Sequence, residues 1–210
     1  MTVDGHDRFW LWAGVDAPAA LATAREVYVL DGEIRRADSG RYHVLRPSPP
    51  TARGPDLWLV VRTDTLDWPT GTLPLIERRL ASWRAAGGRV VGLQVDFDAA
   101  TKDLGDYAAF LKRLRAALPA DQRLSITGLM DWSANGDPAA LAALKGTIDE
   151  VVIQTYQGRS TIPGYERYFA RMTAFPLPFK IGVVERGQFD LPEAIAAAPN
   201  YRGTVVFLLP

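Results

Sequence analysis

Short runs of Val, Leu, Ile and aromatic residues recur along the chain, each bounded by a polar or Gly/Pro-containing stretch. Eight such runs start near residues 9, 26, 57, 89, 123, 149, 179 and 203. Runs of this length without helical spacing read as buried strands. Most of the intervening segments have a different period. Leu73, Ile76, Leu80 and Trp83 recur every three or four residues before Gly87-Gly88, which predicts a helix and its stop. Asp103 is placed to cap a second helix, with Tyr107, Phe110, Leu111, Leu114 and Leu118 on one face. Asp137-Pro138 opens a short Ala/Leu helix, and residues 165–175 and 191–198 predict two more. Asp16 and Pro18 predict the start of an Ala-rich helix after the first strand. After the second strand the pattern changes: Asp38-Ser39-Gly40 lies between two extended arms, so a hairpin takes the place of a helix. The proline-rich stretch 46–55 reads as loop, and no helix follows the eighth run.

Strands alternating with helical crossovers predict a parallel α/β arrangement, and eight strands are the number that closes a barrel. The fold expected is a single small (β/α)8 barrel over residues 1–210. An open parallel sheet is the alternative, although no Gly-x-Gly-x-x-Gly or Gly-x-x-x-x-Gly-Lys loop marks a nucleotide site.

In such barrels chemistry collects where the strands end. Here those ends are polar: Trp12; Asp31 and Glu33; Arg62 and Asp64; Asp96 and Asp98; Asp131 and Trp132; Gln154, Tyr156 and Gln157; Glu185 and Arg186. Carboxylates and amides interleaved with flat rings suit a sugar, which offers hydroxyls at its edge and C–H groups on its face. Asp64, Asp131 and Asp137 read first as caps or loop residues, Trp58 and Trp83 as core, and Glu185-Arg186 as a neutralised pair. Asp96 and Asp98 stand apart. Their i, i+2 spacing projects both carboxyls from one side of a buried strand, where desolvation and mutual repulsion raise a pKa into the range a general acid needs.

Charge and composition narrow the partners. Twenty-four basic residues balance 24 acidic ones, so no overall field favours nucleic acid or an anionic membrane. There is no cysteine, which removes disulfides, thiolate metal sites and a Cys nucleophile. His6 and His43 are isolated, poor material for a His-based metal site or a Ser-His-Asp triad. No apolar run reaches the length of a membrane span, and residues 1–8 lack the form of a secretory signal; export is expected only if an N-terminal segment precedes the chain as given.

The stretch Leu93-Gln94-Val95-Asp96-Phe97-Asp98-Ala99-Ala100-Thr101, with Tyr107-Ala108-Ala109-Phe110-Leu111 and residues 124–132, resembles the bacterial domain-of-unknown-function family 3142. The resemblance runs over most of the chain, from Phe9-Trp10-Leu11-Trp12 to the last strand, and implies a glycosidase-like barrel. More distantly, the fourth strand is similar to the Asp-x-Asp-x-Glu strand of glycoside hydrolase family 18, with Gln94 at the first Asp, Asp96 at the second and Asp98 at the catalytic Glu. Of that family's Met-x-Tyr-Asp, Gln154-Thr155-Tyr156-Gln157 keeps only the Tyr. Asp98 is a methylene shorter than Glu and Gln157 has no charge, which counts against substrate-assisted hydrolysis of N-acetylated sugars.

The expectation is therefore a glycoside-hydrolase-like protein acting on a polysaccharide without a cofactor. Asp98 is the general acid, Asp96 its tuning partner, Tyr156 a stabiliser of developing charge, and Glu185, Asp31 or Glu33 a second carboxylate. Trp12, Gln94, Asp131, Trp132, Gln154, Gln157 and Arg186 would complete the binding surface. The alternatives are a barrel that binds a glycan or protein without cleavage, and a divalent cation held by Asp96, Asp98 and a neighbouring acid.

Overall fold

The computed structural model describes residues 5–15, 21–50 and 53–209. Eight strands form a closed parallel barrel: β1 (Arg8–Leu11), β2 (Glu26–Ile34), β4 (Asp56–Thr63), β5 (Arg89–Asp96), β6 (Arg123–Leu129), β7 (Glu150–Gln154), β10 (Phe179–Val184) and β11 (Tyr201–Leu208). Closure is made by β1, where Phe9 pairs with Val27 on one side and Val206 on the other. The expected barrel is thus the observed one.

Alternation along each strand divides the side chains into two sets. Val27, Val29, Leu57, Leu59, Leu93 and Val95 face outward, into the layer beneath the helices. Trp10, Tyr28, Leu30, Trp58, Val60, Val152, Val205 and Phe207 fill the barrel. Glycine makes room for the largest of them: a Cβ at Gly92 would lie 2.3 Å from the Trp58 ring, and one at Gly182 2.8 Å from Phe207. Helix α1 (Thr72–Ala85) buries Ile76, Leu80 and Trp83 against the barrel, and α2 (Leu104–Ala117) buries Tyr107, Phe110, Leu111 and Leu114. The short helices α3 (Trp132–Asn135), α4 (Pro138–Leu144), α5 (Glu166–Met172) and α6 (Glu193–Ala196) cover the later strands, and β8 (Tyr156–Gln157) pairs antiparallel with β9 (Ser160–Thr161) in a small hairpin after β7.

After β2 a hairpin replaces the crossover helix. Ser39 (φ 56°) and Gly40 (φ 70°) turn the chain in the left-handed region, and β3 (Tyr42–Val44) returns antiparallel to β2. A bulge between Leu30 and Gly32 turns Asp31 outward. Completely buried beneath the hairpin, Asp31 accepts from Tyr42 Oη (2.5 Å) and from Arg79 Nη2 on α1 (2.5 Å), while Arg79 also donates to the Arg46 carbonyl. This tie binds the hairpin to the neighbouring helix.

Two expected caps resolve differently. Asp137 accepts from Ala139 N as a cap should (3.0 Å), whereas Asp103 makes no side-chain cap bond because a 3-10 turn, Thr101–Asp103, leads into α2. Asp16 and Pro18 lie outside the described residues. Among those described, no helix is long and apolar enough to cross a membrane.

Candidate active site at the barrel mouth

Asp96 closes β5 with its side chain at the mouth of the barrel, and Asp98 follows two residues later on the same side. Between them Phe97 turns to the outer layer and packs 5.0 Å from Tyr107. Two cavities meet at this pair. One, of about 540 Å³, is lined by Glu33, Arg35, Arg62, Thr63, Asp64 and Phe97. The other, of about 710 Å³, is lined by Trp12, Met130, Asp131, Gln154, Tyr156, Gln157 and Tyr168 among others. Arg62, Asp96 and Asp98 line both, so the carboxyl pair stands at the waist of one open cleft.

The two carboxyls occupy different environments. Asp96 is 6% exposed and accepts from Thr127 Oγ1 (2.8 Å), with Arg62 Nε 4.0 Å from its other oxygen. Desolvation by burial pushes its pKa up to about 6; Arg62 and Thr127 oppose the rise, and Asp98 adds to it. Asp98 is exposed and has no hydrogen bond or ion pair among the described residues. The group that burial prepares to hold a proton is therefore Asp96.

Around the pair, Tyr156 lies 4.9 Å from Phe207, and burial, followed by the charges of Asp96 and Asp98, raises its phenol well above the usual range. It remains a hydrogen-bond donor at any physiological pH. Arg62, which the sequence marks only as a strand end, lies with its guanidinium 5.2 Å from the Trp12 ring centroid, in cation–π contact. One oxygen of Asp131, Oδ1, is buried without a hydrogen-bond partner among the described residues, and desolvation raises that carboxyl's pKa.

Trp12, Glu33, Asp131, Gln154, Tyr156 and Gln157 thus gather around Asp96 and Asp98. Other expected site residues do not. Gln94 is fully buried one step below Asp96, accepting from Trp10 Nε1 (2.8 Å) and donating to Ser125 Oγ (3.0 Å), bonds that support the barrel interior. Asp31 is turned outward by its bulge. Trp132 is 1% exposed because the missing side chain of Gly128 admits its ring, and its Nε1 donates to the Ala99 carbonyl (2.9 Å). Glu185 accepts from Leu209 N (3.1 Å) and pairs with Arg186 at 3.7 Å, holding the end of β10 to β11. Arg186 lies further out, in a third cavity that shares Ile162 with the central cleft. Among the described residues no group of three or more His, Asp or Glu is arranged to hold a metal ion.

The chemistry at the other end of the barrel gave little sign of itself in the sequence. Lys180, nearly fully buried, contacts Glu26 Oε2 (2.5 Å), Glu150 Oε2 (2.8 Å) and Tyr28 Oη (2.7 Å). Its one signal is a charge inside the apolar run 179–184.

Comparison with known proteins agrees with this architecture. Residues 64–164 match the model of a domain of unknown function, DUF3142. That span contains every motif from Leu93 to Trp132 quoted above but reaches neither Phe9-Trp10-Leu11-Trp12 nor the last strand. The barrel superposes on the chitinase domain of the spore coat protein CotE from Clostridium difficile with a TM-score of 0.55 at 13% identity, covering 85% of this chain and 65% of that domain's length. It superposes on the tamarind chitinase-like lectin with a TM-score of 0.57 at 11% identity, covering 95% of this chain and 92% of the lectin. At such identities the likeness is one of fold. No curated protein matches the sequence.

Proposed function

We propose that this DUF3142 barrel binds a glycan in its C-terminal cleft and hydrolyses a glycosidic bond there, with Asp96 and Asp98 as the working carboxyl pair. The observation that carries the reading is a carboxyl lifted to about 6 at the waist of an open cleft, with a second, exposed carboxyl two residues on. Protonated Asp96 supplies the proton that a departing sugar oxygen requires. Asp98 either steadies the positive charge that develops on the sugar or activates a water molecule. Tyr156 donates a hydrogen bond within the same cavity, and Trp12 offers a ring face for the sugar's C–H groups.

Reducing-end release from a panel of polysaccharides tests the reading. Turnover by the native protein should fall at least about 100-fold in Asp96→Asn, on the scale of a lost general acid. A smaller but clear fall is expected for Asp98→Asn. An Asp96→Asn variant with native turnover removes the assignment.

A second reading, glycan binding without cleavage, is favoured by the short reach of Asp98 and by the likeness to a chitinase-like lectin over nearly the full length of both chains. Retained oligosaccharide binding with no reducing ends released over long incubation would select it.

A further inference from the structure

We propose that the glycan taken by this cleft is a cationic one, a polymer of hexosamines with free amino groups. The proposal rests on reading the cleft as a glycan site and names the substrate class. Seven charged side chains line the two cavities: Glu33, Arg35, Arg62, Asp64, Asp96, Asp98 and Asp131. Both arginines are engaged. Arg35 Nη2 lies 2.5 Å from Glu33 Oε1, and Arg62 is drawn onto the Trp12 ring and toward Asp96. Asp64, Asp98 and Asp131 have no cationic side chain within ion-pair distance among the described residues; Asp64 accepts only the Arg36 amide (2.6 Å).

These three carboxyls are spread along the cleft. Asp64 lies in the smaller cavity, Asp131 in the larger, and Asp98 at the waist between them. A chain of sugars crossing the waist therefore meets an acid on either side and one in the middle, an arrangement that suits a repeated positive charge.

Of the three, Asp131 has its Oδ1 atom buried at the cavity wall without a hydrogen-bond donor among the described residues. A carboxylate oxygen withdrawn from water and left unpaired is costly, and an ammonium or hydroxyl group of a ligand would satisfy it. Beyond Ile162 the third cavity is balanced, Arg159 and Arg186 against Glu166 and Asp190, so the negative character is confined to the central cleft.

Calorimetric titration of the full chain with three six-ring β-1,4 oligomers tests the proposal: glucosamine with free amines, N-acetylglucosamine and glucose. Near pH ~6 and at low salt the free-amine oligomer should bind at least about tenfold more tightly than either neutral one, and about 0.5 M salt should remove most of that advantage. Asp64→Asn and Asp131→Asn, checked for native melting behaviour, should each weaken the free-amine oligomer by roughly three- to tenfold, a larger loss than the acetylated one suffers. Equal or tighter binding of a neutral oligomer overturns the charge preference and leaves the glycan reading standing. If no oligomer binds, the glycan reading falls and this inference falls with it.

Discussion

The two ends of the barrel handle buried charge in opposite ways. At the floor, Lys180 lies between Glu26 and Glu150, and both acids have further donors: Trp58 Nε1 on Glu26 (2.7 Å), with Tyr28 Oη and Ser125 Oγ (3.1 Å) on Glu150. Arg8 and Arg123 close the rim at 3.4 and 3.5 Å from the same two carboxylates. Each of these five charges is answered by an opposite one within the protein. At the mouth, among the described residues, Asp96 has a single hydroxyl donor and a distant guanidinium, Asp98 has no hydrogen bond or ion pair, and Asp131 leaves an oxygen orphaned. A closed network fixes a fold, whereas an open one is available to a ligand. The same architecture thus separates answered from unanswered charge along its own axis.

Breaking the floor should have the largest effect. Replacing Lys180 with Met keeps most of the volume but leaves two buried carboxylates facing each other, and stability should fall by about 3–5 kcal/mol, the usual consequence of removing one partner of a buried ion pair. Urea unfolding at neutral pH measures the loss. Its pH dependence sharpens the point. Burial alone would push the Glu26 carboxyl up, but the charge and hydrogen bond of Lys180, with the Trp58 hydrogen bond and the charge of Arg8, together outweigh it and hold the group below its usual range. That contribution is present above the unfolded value and fades as pH falls through the folded one, so the deficit of the Lys180→Met variant should narrow in acid. A variant as stable as the native chain would mean that the floor is not what holds the strands together.

The opposite sign is expected at the mouth. Because the Asp96 carboxyl is raised to about 6, the folded state holds a proton that the unfolded chain releases, and its ionised form weakens the fold at higher pH. Asp96→Asn keeps an oxygen for Thr127 to donate to and removes the charge. Above about pH 7 the variant should be more stable by up to about 3 kcal/mol, the gain shrinking as pH falls through 6 and vanishing below about 4. Paired melts at about pH 8 and pH 4 read this directly. A loss of stability at the higher pH would show that Arg62 and Thr127 more than offset the desolvation, and that the mouth is as closed as the floor.

This division was only half legible in the sequence. The eight strands showed as apolar runs and the hairpin as Asp38-Ser39-Gly40, since buried strands and left-handed turns depend on residues close together in the chain. The pairing of Asp96 with Asp98 followed from strand alternation. Orientation was lost where alternation breaks or a neighbour makes room. The bulge at Leu30 and Gly32 sends Asp31 outward, and Gly128 on the strand before α3 lets Trp132 sink into the core. Neither effect can be read without knowing which strands are adjacent. The floor was missed for a related reason. Glu26, Glu150 and Lys180 each stand near the start of a strand, where a charge is ordinary, and only closure brings three such starts together. Arg62 alternates with Val60 and could have been placed in the barrel mouth by parity alone.

The smallest stability effect should come from Asp98, and its smallness is informative. An exposed carboxylate with no hydrogen bond or ion pair does little for the fold, so Asp98→Asn should unfold within about 0.5 kcal/mol of the native chain at neutral pH. Its one expected trace runs through its neighbour, because Asp98 contributes to the rise in the Asp96 carboxyl and its loss should bring that carboxyl down slightly. In a pH titration of stability the variant should follow the native curve, with the Asp96 step displaced a little toward acid. A gain well above 1 kcal/mol would mean that the two carboxyls repel each other strongly across the waist, making the mouth a strained pair held apart by the fold. A flat result leaves desolvation as the dominant cause of the raised Asp96 carboxyl, and places Asp98 where only a ligand would answer its charge.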